Sequence, residues 1–140
     1  MRNDKFKHLL VLVFATFFFV AVAAWAKTYT FQATSIAPGA TGTVDAKSDK
    51  AGGNTTLAVK VEHLARPNLL TPPASEYVVW VEPQGGQPTN EGVLRVADSE
   101  KGDLKITTSA AKFTVIVTAE SDTHPSEPSH RVVLRAEVQE

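Results

Sequence analysis

The chain has no cysteine at any of its 140 positions, and its single methionine is the initiator. Without thiols there is no disulfide to staple the fold, no thiolate nucleophile and no lipid-bearing cysteine. A blue-copper centre needs a cysteine ligand and usually an axial methionine, so that chemistry is excluded as well. Stability has to come from an apolar core. Helical periodicity of useful length is missing beyond the first 26 residues, and so is any basic patch or stripe. Nucleic-acid binding therefore has no electrostatic support.

What is present begins at the N-terminus. Arg2, Lys5, Lys7 and His8 precede an apolar run, Leu9 to Ala26, interrupted chiefly by Thr16. Ala24 and Ala26 flank Trp25 in the small-x-small pattern of a signal-peptidase site. The expectation is a secretory signal helix over 1–26, cut after Ala26. The alternative is an uncleaved anchor, since eighteen residues at about 1.5 Å each lie near the lower limit for crossing hydrocarbon. The step from Ala26 into the strand-like Tyr29-Thr30-Phe31 leaves no spacer and favours cleavage. Cleavage leaves 27–140 as one domain with 11 basic and 14 acidic residues, a net charge of −3 with histidine neutral. A disulfide-free exported domain fits a bacterial periplasm. Localisation is accordingly periplasmic or extracellular, with inner-membrane anchoring only if the leader stays on.

The dominant stretch in the remainder is Tyr77 to Glu82, Tyr-Val-Val-Trp-Val-Glu, opened by Pro72-Pro73 and closed by Pro83. A short apolar run rich in β-branched and aromatic residues, bounded by turn residues, reads as a strand buried on both faces. Phe113 to Val117 is its natural partner, and Val79, Trp80, Val115 and Val117 are expected in or beside the core. The other segments alternate. Thr28–Ala33 and Thr43–Lys47 read as short strands, and Thr56–Leu64 puts Leu57, Val59, Val61 and His63 on one face. Gly92–Asp98 turns Leu94 and Val96 inward; Leu104–Thr107 follows; Arg131–Val138 places Val132, Leu134, Ala136 and Val138 inward. Proline-containing stretches at 66–75, 83–88 and 121–129 are loops. The pattern predicts an all-β, antiparallel two-sheet β-sandwich of about eight strands, immunoglobulin-like in architecture but without the flanking cysteines of immunoglobulins.

Three pieces carry a family resemblance: Tyr77–Pro83, Gly92–Val96, and Phe113–Glu120 with Pro125-Ser126 after it. In order and spacing over roughly Leu57 to Val138, they resemble the extracytoplasmic domain of the anti-sigma-K factor type and its free-standing exported relatives. The resemblance implies a sandwich fold and, at most, a sensor or regulatory role held at the membrane. It brings no catalytic residue. Sigma-factor binding is not carried over, because only Met1 to His8 precede the apolar run.

Candidate chemistry is thin. Glu120, Asp122, His124, Glu127 and His130 form the densest polar cluster, and Asp122, His124, Glu127 and His130 are its weak metal-ligand candidates. Their spacing matches no metal signature, and Pro125 and Pro128 read as an ordinary inter-strand loop. A superoxide-dismutase-like site needs more histidines than His63, His124 and His130. There is no Gly-x-Ser-x-Gly elbow for a serine nucleophile. Glu82 and Glu120 are the carboxylates for a hydrolytic reading, but more simply they end the two central strands. Trp80 in an apolar strand is core rather than a sugar platform, His63 is a rim residue, and Asn54-Thr55-Thr56 is a glycosylation sequon. The expected function is an exported, non-catalytic module that uses no cofactor and binds a protein or an envelope component. The alternatives are the membrane-held sensor and a metal-binding or hydrolytic protein using the 120–130 loop.

Overall fold

The computed structural model describes residues 25–49, 51–122 and 124–139. Residues 1–24 of the expected signal helix lie outside the described residues. Those residues form nine strands: β1 (Lys27–Thr30), β2 (Gln32–Ala33), β3 (Thr41–Asp49), β4 (Asn54–Glu62), β5 (Glu76–Pro83), β6 (Thr89–Leu94), β7 (Gly102–Thr108), β8 (Lys112–Glu120) and β9 (Val132–Gln139). They make two antiparallel sheets, ordered β1-β3-β4-β7 and β2-β9-β8-β5-β6. No described helix is long and apolar enough to cross a membrane.

The two apolar runs pair directly as β5 and β8 in the middle of the larger sheet, Val79 opposite Val117 and Val81 opposite Val115. Because side chains alternate along a strand, Tyr77, Val79 and Val81 point one way with Val115 and Val117. They meet Val44 and Ala46 of β3 and Leu57, Val59 and Val61 of β4 in a single buried cluster. One core shared by two antiparallel sheets is consistent with a β-sandwich.

Two expectations are corrected. Thr28–Ala33 is not one strand: β1 pairs with β3, β2 pairs with β9, and the chain changes sheets at Phe31. The alternating Tyr29 and Phe31 hide this crossing, because both rings pack against the same core. Phe31 is buried and donates its N–H to the Gly42 carbonyl. A Cβ on Gly42 would lie 2.5 Å from the Lys60 carbonyl oxygen and 3.0 Å from the Phe31 ring, so glycine makes the crossing fit. The last strand also departs from strict alternation. A bulge at Val117/Thr118 puts Val133 and Leu134 in the core and turns Val132 to the opposite face.

Trp80 lies beside the main core rather than within it. It is fully buried, yet it does not lie between the sheets: with Val78 and Ile116 it forms a second cluster on the outer face of the larger sheet. A both-faces-buried strand therefore has two different covers. β6 carries a bulge opposite Val79/Trp80, where Gly92 takes a φ of 132°. The strand starts earlier than expected and ends at Leu94, with Leu94 buried and Val96 packed against the core.

Candidate functional site

The strand directions divide the connections between two poles. Residues 51–53, 84–88 and 109–111 lie at one pole, together with the starts and ends of the described chain, Lys27 reaching the Gln139 carbonyl with its Nζ. Residues 34–40, 63–75, 95–101 and the described part of the 121–131 connection gather at the other. Short turns and termini thus occupy one end and the long connections the opposite end. Loops held by a rigid sheet scaffold are where binding residues concentrate.

The 121–131 connection holds the polar cluster singled out from the sequence. Glu120 is almost fully buried; Asp122, His124, Glu127 and His130 are exposed. Asp122 accepts the His124 backbone N–H at 3.2 Å, closing a local turn. Among the described residues, no three His, Asp or Glu side chains stand close enough to share a metal ion.

The loop does something else. It leaves β8 at Glu120, and its Pro125 carbonyl accepts a hydrogen bond from the Asn90 side chain on β6. Asn90 and Ile116 are the register neighbours of Trp80 on its two sides. The loop therefore passes over β5 and covers the indole. Beneath it runs a buried relay. Trp80 Nε1 donates to Thr118 Oγ1 at 2.8 Å, Thr118 donates to Glu120 Oε1 at 2.6 Å, and the Ser129 backbone N–H donates to that same oxygen at 2.8 Å. Ser129 Oγ closes the return by donating to the Ala119 carbonyl.

Glu82 and Glu120 are not brought together. Glu82 pairs with Thr114, while Glu120 faces Glu76 across the strands. Six residues of strand separate the two carboxylates, roughly 20 Å, too far to flank a glycosidic bond. Glu76 is the carboxylate that sequence reasoning missed; its Oε1 is buried without a hydrogen-bond partner. Only the register of two distant strands sets these like-charged side chains opposite each other. His63 sits just past β4 with a φ of 55°, exposed, 3.4 Å from the Thr41 hydroxyl. Asn54 of the sequon is exposed at the start of β4, at the pole of the termini.

The loop pole holds an open cleft of about 620 Å³. Ser35 and Ile36 line it from the first connection, Leu69 to Pro72 from the second and Arg131 from the fourth. Pro67 starts a 3-10 turn, Pro67–Leu69, and its carbonyl accepts the N–H groups of both Leu70 and Ala74. That folding buries Leu70 and Ala74 and leaves Leu69 outside, 62% exposed. Arg131 Nη2 donates to the Pro72 carbonyl at 2.6 Å, which ties the fourth connection to the second. Among the described residues Arg131 has no carboxylate within ion-pair distance, unlike Arg66, which pairs with Asp98.

Below this pole Tyr77 donates its hydroxyl to the Ala65 carbonyl at 2.6 Å. Burial pushes its pKa up to about 12, and the nearby Arg131 charge partly offsets the rise. The cleft itself combines exposed aliphatic carbon, two hydroxyls and one cation, with no acidic side chain in its lining. It offers recognition chemistry, not a nucleophile with a base.

Against known proteins, the sequence matches no family model, and no curated relative matches it either. The functional reading rests on the geometry.

Proposed function

We propose that this chain is an exported, non-enzymatic module that binds a protein or envelope component through the loop pole opposite its termini. The observation that carries the reading is the segregation of connections: three long loops converge on an open, cation-bearing cleft at the end farthest from Lys27. An immunoglobulin-like sandwich presenting loops at one end is the architecture this reading uses. The resemblance to anti-sigma-type extracytoplasmic domains agrees with a binding role.

Export follows from the basic, apolar and small-x-small order of residues 1–26. Trp25 is 88% exposed and Ala26 is exposed, both ahead of β1, so the described residues beside the expected cut are accessible. A photo-crosslinking residue placed at Leu69 should trap a partner in the envelope that one placed at Gln87, at the opposite pole, does not. Equal trapping at both positions, or none at Leu69, overturns the reading.

A further inference from the structure

We infer that the cleft at the loop pole receives an extended segment of a partner protein that sets an aliphatic side chain on Leu69 and Ile36 and an Asp or Glu carboxylate on Arg131. The inference rests on the proposed binding role of this pole and specifies what is bound there. Arg131 supplies the first element. Its guanidinium carries five N–H donors in a planar fork; one nitrogen is held by the Pro72 carbonyl. That bond fixes the group in place at the cleft, and among the described residues no carboxylate neutralises it. A positioned, uncompensated guanidinium is matched in geometry and charge by a carboxylate.

Leu69 supplies the second element. The bonds to Pro67 that close the 3-10 turn bury Leu70 and leave Leu69 turned outward, at 62% exposure, on the rim of the same cleft. Half-buried Ile36 on the facing loop completes an apolar patch beside the cation. The hydroxyl-bearing Ser35 and Thr71 lie in the same lining and can serve the backbone of a bound segment.

The openness of the cleft decides between a small ligand and a chain. Small-molecule sites bury most of the ligand in a concavity, which a cleft with so exposed a rim cannot do. A segment that belongs to a larger partner can cover Leu69 from above while its carboxylate reaches Arg131. A lipid headgroup would satisfy the cation but leave the aliphatic patch to the solvent or to loose acyl contact, so the combined chemistry favours polypeptide.

The test is selection of displayed random peptides on the purified protein, followed by mapping of the selected peptides with the crosslinker at Leu69. Selected sequences should share an aliphatic residue next to Asp or Glu. Arg131→Ala should weaken their binding about tenfold, the size expected for losing a hydrogen bond to a charged group. Arg131→Glu should shift the selected consensus from acidic to basic residues, a change of preference that a folding defect cannot produce. Peptides that map to Leu69 but carry no acidic consensus, or whose binding survives Arg131→Ala, overturn this inference and leave the binding role of the pole standing. Peptides that crosslink only at Gln87 overturn both. Arg131-dependent binding to phosphatidylglycerol vesicles in place of peptides, or Leu69-dependent self-association in sedimentation, likewise overturns the assignment of a foreign acidic segment.

Discussion

The indole N–H of Trp80 is held by the hydroxyl of Thr118 at 2.8 Å, on the face of the larger sheet that looks away from the main core. A tryptophan can be buried outside the inter-sheet space only if its polar edge finds a partner and something closes over its ring. Thr118 and the 121–131 connection meet these two requirements.

Removing either member should therefore destabilise the fold, the indole more than the hydroxyl. Thr118→Val leaves a buried N–H unsatisfied and should lower stability by about 1–3 kcal/mol. Trp80→Ala should cost about 3–5 kcal/mol through the cavity it opens. Urea unfolding of each variant measures both. A cost near zero for Thr118→Val would mean the relay to Glu120 contributes nothing.

Glu76 should behave in the opposite sense. It faces Glu120 directly across β5 and β8, and its Oε1 is buried without a partner. Like charges opposite each other in a sheet are unfavourable. Glu76→Gln removes one charge and supplies an amide donor beside Glu120. The expected gain is about 0.2–1 kcal/mol in the same urea assay; a loss would show that the Glu76 charge is used in the folded protein.

These two positions show what the sequence could and could not reveal. Val78 to Val81 announced a strand buried on both faces, and the pairing of that run with Phe113–Val117 followed from composition alone. Which face Trp80 occupied could not follow, because both faces of the run are apolar and only the register with β8 sets the phase. Pro125 and Pro128 identified the 121–131 stretch as a loop, but its path over Trp80 depends on Asn90, which is 35 positions away from Pro125. The split of the first strand was hidden for a different reason. An alternating segment keeps its alternation when it changes sheets, and only the clash-free glycine at Gly42 hints at the crossing. Leu69 is one apolar residue in a proline-rich loop, and nothing local distinguishes it from the buried Leu70.

The crossing gives its own prediction. Gly42→Ala would drive a methyl group to 2.5 Å from the Lys60 carbonyl, and backbone cannot give way there without disturbing the β3-β4 pairing. Stability should fall by about 1–3 kcal/mol, as for other overpacked sites. Gly39→Ala, where an added Cβ meets nothing within 4 Å, is the control and should be near neutral.

Tyr77 makes stability depend on alkaline pH. Its pKa in the fold is about 12 against an ordinary 10.0, because burial disfavours the phenolate. A group whose folded value is raised contributes stability below its unfolded pKa and loses it as pH climbs through the folded value. The contribution is thus intact below about pH 10 and disappears toward pH 12, on the order of 2 kcal/mol in all. Tyr77→Phe should flatten that part of the stability profile relative to the parent while losing the bond to the Ala65 carbonyl at every pH. Parallel profiles for the two proteins would refute the assignment.

The cover over Trp80 can be tested by loosening it. Asn90 is joined to the 121–131 connection through the Pro125 carbonyl, and the same side chain accepts the Gly92 N–H with its Oδ1. Asn90→Ala releases the far end of the loop and leaves the near end held by Ser129 on Glu120. The chain has two tryptophans, and Trp25 is almost wholly exposed, so the experiment uses a Trp25→Phe background in which Trp80 alone emits. In that background the emission should be blue and poorly quenched by acrylamide. Adding Asn90→Ala should move it to the red and raise the quenching constant severalfold, with only a modest loss of stability, about the 1 kcal/mol of a surface hydrogen bond. Spectra that do not change would mean that strands, not the loop, enclose the indole.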